Sequence, residues 1–214
     1  MSDWTRLPAS KWPEYPYPGE RPDTSWRLVG DWVHALARVD DMWIDTHTGE
    51  TVDPDGRRYV LAYGSNANPM KLLREAKKRD LRDVAVLDAT VRGAQAVWSS
   101  GRRRADRRLV ATIVEKPGHS ERCPVLAVPA DDLPKVDGWE GYDANQADNP
   151  WYVRQSFWGT CTVESDAAAT TPEHIGDAWV YVGGSNRQPA VHQGRYVPLS
   201  EFGYDDVEGL FPYD

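Results

Sequence analysis

The 214-residue chain has only two cysteines, Cys123 and Cys161, and they carry no metal-type spacing. That excludes a disulfide framework as the source of stability and fits a reducing compartment. The first 23 residues, MSDWTRLPASKWPEYPYPGERPD, lack the apolar core of a secretory signal. No apolar run approaches the ~20 residues that a membrane helix needs. A cytoplasmic setting without a membrane partner is therefore expected. GxxxxGK[ST], HExxH and CxxC are all missing, so the common phosphate-loop, zinc and redox chemistries have no anchor. Net positive charge is missing too. The formal charge is −8, which argues against a broad nucleic-acid or anionic-membrane partner. No internal repeat is visible.

What is present is a globular composition, 40% hydrophobic and 27% charged. The length suits one domain, with room for an appendage. Ten tryptophans are many for this length and belong in a core or a pocket wall.

Along the chain, Pro8, Pro13, Pro16, Pro18 and Pro22 forbid a long helix or central strand near the N-terminus. The segment reads either as an extended arm laying Trp4, Trp12, Tyr15 and Tyr17 on a surface or as a disordered tail. Ser25 can cap a helix over SWRLVGDWVHALARV. Leu28, Val29, Trp32, Val33, Leu36 and Val39 fall near i, i+3, i+4 spacing, with His34 beside that face, partly exposed. DTHTGETVDPDGRR reads as turns. Residues 1–57 are thus taken as an N-terminal extension and 58–214 as the main domain.

A strand over 58–63 follows. Asn68 and Pro69 then supply a cap and a first-turn proline for the helix PMKLLREAKKRD, which turns Met70, Leu73 and Ala76 inward. VAVLDATVRGAQAVWSS, LVATIVEK and CPVLAVPA are β-rich, DDLPKVDGWEGYD is helical, and WYVRQSFWGTCTVES and DAWVYVGG are strands. HQGRYVPLSEFGYDDVEGLFPYD looks irregular. Strands dominate without regular βαβ alternation. The expected fold is α+β, a mixed, mostly antiparallel small β-barrel with few flanking helices.

Two stretches carry chemistry. In YVLAYGSNANPMKLL a strand stops at Tyr63 and a helix starts after Asn68. Backbone N–H groups of Gly64, Ser65 and Asn66 have no obligatory partners there, and a helix dipole behind them favours an anion. Glycine at 64 permits close approach of a ligand. The turn is either an anion cradle or an ordinary connection. In VDGWEGYDANQADNPWYVR, Glu140 lies between Trp139 and Gly141. It is either an exposed acid at a turn or a buried one poised as a general base. Two other features read as bland. GGS at 183–185 is a glycine turn. GRRRADRRL, 101–109, is a solvated hairpin tip, without the interleaved aromatics of a nucleic-acid patch.

Together, YVLAYGSNANP and the later VDGWEGYD…WYVR resemble the γ-glutamylcyclotransferase-like family, which includes γ-glutamylamine cyclotransferases. The resemblance runs from about Tyr59 to Val182; residues 1–58 have no counterpart in it. It implies cleavage of a small-molecule γ-glutamyl amide by attack of the substrate's own α-amine, giving 5-oxoproline and a free amine, with no cofactor. It implies that Glu140 is the catalytic base and then acid. Gly64, Ser65 and Asn66 would anchor the α-carboxylate. Tyr63, Tyr152 and Tyr181 would line the pocket, with Tyr152 as the hydroxyl donor to the oxyanion.

The chain departs from the family pattern at Val136, at Cys123-Pro124 and in the inserted DANQADNP, expected to border the pocket. Two further readings stand beside it. One is a non-catalytic ligand- or partner-binding protein on the same fold, with the arm in the cavity. The other is a hydrolase using Ser65, although Tyr-Gly-Ser-Asn-Ala lacks the flanking glycines of a nucleophile elbow.

Overall fold

A computed structural model of the protein describes residues 4–39, 42–53, 56–145, 151–163 and 173–212. Its larger sheet has ten strands. In spatial order they run Tyr152–Ser156, Ala178–Gly183, Arg57–Leu61, Val125–Pro129, Val84–Leu87, Trp26–Val29, Trp32–Val39, Met42–Asp45 and Thr51–Val52. Arg6–Pro8 adds to Trp32–Val39. A second sheet of four strands is built on the long hairpin Ala89–Arg102 and Leu109–Arg122. Among the described pairings only Ala178–Gly183 against Arg57–Leu61 is parallel. Among the described residues three α-helices accompany them: α1 (Pro69–Arg79), α2 (Leu133–Glu140) and α3 (Tyr204–Leu210). The fold is mixed α+β and mostly antiparallel.

One core lies between the sheets, where Leu61, Ile113, Val125, Cys161 and Val180 are buried. Another lies under the helices, around Val60, Leu72, Leu126, Val136 and Tyr181. Cys123 and Cys161 are both buried free thiols.

The helix expected over residues 25–39 is a β-hairpin instead. Trp26–Val29 pairs with Trp32–Val39 around Gly30-Asp31, and Gly30 has φ +57. A two-residue hairpin loop with glycine first and φ positive matches the right-handed twist of the strands. The helical reading arose because Val33, His34, Ala35 and Leu36 are all buried. A strand covered on both faces loses its alternation and resembles a short buried helix. His34 is accordingly no exposed helix residue: its Nδ1 lies 2.8 Å from Asp45 Oδ2.

Asp45 is wholly buried. Burial alone pushes its carboxyl up, but His34, the backbone N–H groups of Thr48 and His47, and Arg27 together hold it at about 2. The folded value lies below the ordinary 3.8, so this stabilisation is present above pH ~4 and is lost as pH falls towards 2. It is worth on the order of 2 kcal/mol. Acid titrations followed by circular dichroism should show Asp45→Asn less stable at neutral pH, with a shallower decline in stability below pH 4.

The N-terminal arm is packed. Trp12 and Tyr17 are buried, and Glu14 pairs with Arg74 of α1. Asn68 is the pin. Its side-chain oxygen accepts from Lys71 N at 2.9 Å and caps α1. Its amide nitrogen donates to the carbonyls of Trp12 (3.2 Å), Pro13 (2.9 Å) and Glu20 (2.7 Å). Asn68→Ala removes the cap and strands arm carbonyls, an expected loss of roughly 2–3 kcal/mol. Limited proteolysis should then cut within residues 5–25 before the rest of the chain.

In α1, Leu72 and Ala76 are buried, while Met70 and Leu73 are only half-buried. The irregular C-terminus expected from sequence instead holds the hairpin Val191–His192 with Arg195–Tyr196 and α3. Tyr204 and Val207 of α3 pack on the cluster containing Trp98, and Arg102 forks onto Glu208 at 2.7 Å.

Candidate active site

The parallel strands Arg57–Leu61 and Ala178–Gly183 end side by side, and each runs into a 3-10 turn, Ser65–Ala67 and Ser185–Arg187. Parallel neighbours leave a crevice beyond their carboxyl ends. α2 closes one side of it and the tip of the long hairpin the other. The result is a cleft of about 420 Å³, large enough for a small molecule.

Glu140 is the last residue of α2, which stops because Gly141 takes the left-handed conformation (φ 69, ψ 22). Its side chain is about 10% exposed. A carboxylate there meets the negative end of the helix dipole and needs support. Asn66 Nδ2 donates to Glu140 Oε1 at 2.9 Å. Lys71 Nζ donates to Asn66 Oδ1 at 2.5 Å and lies 4.0 Å from Glu140 Oε1. This chain fixes the Asn66 amide, nitrogen towards the acid and oxygen towards the amine. Burial lowers the Lys71 pKa, and the charge of Glu140 works against that lowering. Asp137, one turn before Glu140, steadies α2: it accepts from Tyr181 Oη at 2.7 Å and from Arg154 at 2.5 Å.

The site residues expected from sequence all line this cleft: Tyr63, Gly64, Ser65, Asn66, Glu140, Tyr152 and Tyr181. Three details differ from expectation. Tyr152 Oη donates to the Ala111 carbonyl at 2.7 Å, so its proton is committed to the protein. Tyr63 Oη likewise donates to the Tyr181 carbonyl. Gly64 makes room for protein: a Cβ there would fall 2.4 Å from the hydroxyl of Tyr17. That hydroxyl accepts from Ala111 N at 2.9 Å.

Several cleft residues carried no usable sequence signal. Tyr17 comes from the arm. Arg103 and Arg104, expected at a solvated tip, line the mouth, because the long hairpin curls its end over the crevice. Arg187 follows the glycine turn and is 3% exposed. It stacks 4.7 Å from the Trp151 ring centroid and has no carboxylate partner among the described residues. The expected pocket-bordering loop lies partly at 146–150, outside the described residues. Among the described residues, no histidine lines the cleft, so Ser65 has no imidazole partner there.

No family model matches the sequence, and no curated protein matches it. Solved structures similar to the chain include a γ-glutamyl cyclotransferase at 19% identity, covering 64% of this chain and 73% of that one, with a TM-score of 0.44. An uncharacterized protein from Homo sapiens is similar at 20% identity, covering 65% and 75%, with a TM-score of 0.44. A γ-glutamyl cyclotransferase specific to glutathione from yeast is similar at 13% identity, covering 73% and 86%, with a TM-score of 0.41. Two of these three carry the name of the group that the two motifs resemble. At such values the likeness concerns the path of the chain and carries no argument about chemistry.

Proposed function

We propose that the protein is a γ-glutamyl cyclotransferase, releasing 5-oxoproline and a free amine from a γ-glutamyl amide. The observation that carries this reading is the Glu140–Asn66–Lys71 chain set in a cleft with no histidine among its described lining residues. Such a site offers a base, while Ser65 has no imidazole partner and the Lys71 amine is bonded to Asn66, which suits a substrate that supplies the nucleophile. The α-ammonium of the glutamyl group gives a proton to Glu140, and the nitrogen attacks the γ-carbonyl carbon. A five-membered ring closes, the ring nitrogen releases its second proton to solvent, the bond to the leaving amine breaks, and Glu140 returns its proton to that amine. Holding both reacting groups in one molecule supplies an effective concentration of ~10⁵ M or more.

The charge of the lining fits. Lys71, Arg104 and Arg187 face a single well-placed acid, Glu140, while Arg103 is already paired with Asp106 and Glu75 with Arg79 at 3.2 Å. A buried guanidinium without a counter-ion favours an anionic ligand, and the α-carboxylate of a γ-glutamyl group is one. The arm forms a wall of the cleft and leaves its volume open, which weighs against a binding protein whose cavity is filled by its own arm.

The test is 5-oxoproline itself, measured by mass spectrometry. Purified protein is incubated with γ-glutamyl-alanine, γ-glutamyl-ε-lysine, glutathione and γ-glutamylated amines. Release from at least one, in step with its free amine, is the expected result. Silence across the panel, with intact substrate recovered, overturns the reading.

A further inference from the structure

Tyr17, Tyr63, Tyr152 and Tyr181 line the cleft, and a hydroxyl donor there would stabilise negative charge on a reacting oxygen. Three of the four are already spent. Tyr63 donates to the Tyr181 carbonyl, Tyr152 to the Ala111 carbonyl and Tyr181 to Asp137. Tyr17 is bonded the other way round. Its oxygen receives the Ala111 N–H at 2.9 Å, and no acceptor for its own hydrogen is found among the described residues. With the Ala111 N–H on one side of the oxygen, the O–H turns to the other, towards the cleft that Tyr17 lines. We infer that Tyr17, carried in by the N-terminal arm, is the hydroxyl donor of the active site, aimed at the carbonyl oxygen of the bound γ-amide.

The surroundings support this. The ring is buried, packed 5.4 Å from the Trp98 centroid, and the arm behind it is pinned by Asn68, so the hydroxyl is held rather than mobile. Burial, the largest influence, pushes its pKa up to about 12, so the phenol keeps its proton across the working range. The Ala111 N–H donated into the oxygen polarises the O–H and strengthens it as a donor. As negative charge builds on the carbonyl oxygen during ring closure, that bond tightens. Collapse of the intermediate then returns the electron pair to the carbonyl as the amine leaves, and Tyr17 gives up no proton. The identity of the oxygen rests on the cyclotransferase reading; the direction of the donor rests on geometry alone.

Tyr17→Phe keeps the ring and removes the donor. On any γ-glutamyl amide that is turned over, kcat should fall about 10²–10³-fold, with KM changed far less. A purely structural role, accepting the Ala111 N–H, is separated by placing 3,5-difluorotyrosine at position 17. The fluorines make the phenol more acidic. A phenolate still accepts N–H bonds but cannot donate, so the alkaline limb of kcat should move to lower pH. An unmoved limb, or a Tyr17→Phe variant with normal kcat beside an inactive Glu140→Gln, overturns the inference and leaves the cyclotransferase reading standing.

The same label tests the donor without turnover. The phenol pKa of difluorotyrosine-17 is followed by fluorine NMR with and without 5-oxoproline, whose lactam carbonyl would accept its proton. A rise on binding supports the donor even where no amide in the panel is cleaved. Saturable binding with no change in the phenol pKa, or no binding, overturns it.

Discussion

Glu140→Gln should lower 5-oxoproline release by roughly 10³-fold, within the 10²–10⁴ that a positioned acid–base group supplies. The amide has the shape of the carboxylate and can still accept from Asn66 Nδ2, now at 2.9 Å from Oε1. It cannot take the α-ammonium proton. The change in Lys71 gives the variant a second signature. Burial already lowers that pKa and Glu140 opposes the lowering. Without the opposing charge it falls further. A lysine whose folded pKa lies below its unfolded value of 10.5 costs stability while charged. That cost is full below the folded pKa and fades as pH rises through it. The variant should therefore be destabilised near neutral pH, by about 1–2 kcal/mol, and approach the wild type near pH 10. Thermal melts across that range check the stability, and mass spectrometry checks the turnover. A Gln variant with wild-type activity would remove Glu140 from the mechanism.

The second large effect is a coupling between the arm and the catalytic turn. A Cβ at Gly64 would sit 2.4 Å from Tyr17 Oη, but 3.5 Å from Tyr17 Cζ and 3.7 Å from Ala111 Cβ. Gly64→Ala must push the hydroxyl out of the turn. The ring cannot yield easily, since it packs on the fully buried Trp98. The expected loss is about 1–3 kcal/mol from overpacking, with the Ala111 N–H left without its acceptor. Activity should fall with it. In the Tyr17→Phe background the clashing oxygen is gone, and the nearest contact at 3.5 Å is ordinary. There Gly64→Ala should cost well under 1 kcal/mol, so the double-mutant cycle should give a coupling of about 1–2 kcal/mol. Urea midpoints of the four proteins measure it. Additive losses would mean that the glycine is needed for its backbone or for a ligand, as sequence reasoning alone supposes.

The sequence by itself determined the parts of this site that are local. Asn68-Pro69 fixes the start of α1, because a cap side chain and a first-turn proline act within one helical turn. Gly141 ends α2 and so places Glu140 at the helix end, because glycine adopts the left-handed conformation freely. The strand ahead of Gly64 and the hairpin around residues 102–109 were legible for the same reason. The N-terminal hairpin was not: covering both faces of Trp32–Val39 hides its alternation, and only the Gly30-Asp31 turn betrays it. What tertiary structure decided is every relation across long separation. The parallel pairing of Arg57–Leu61 with Ala178–Gly183 sets two turns side by side. Asn66 meets Glu140 across 74 positions. Tyr17 meets Ala111 across 94. Arg187 is carried to the cleft wall on the second turn. Local propensity acts over a few residues, whereas hydrogen-bond direction depends on which distant backbone groups arrive beside a side chain. That is why the sequence shows the tyrosines of the cleft, and only the folded chain shows which of their protons is left to give.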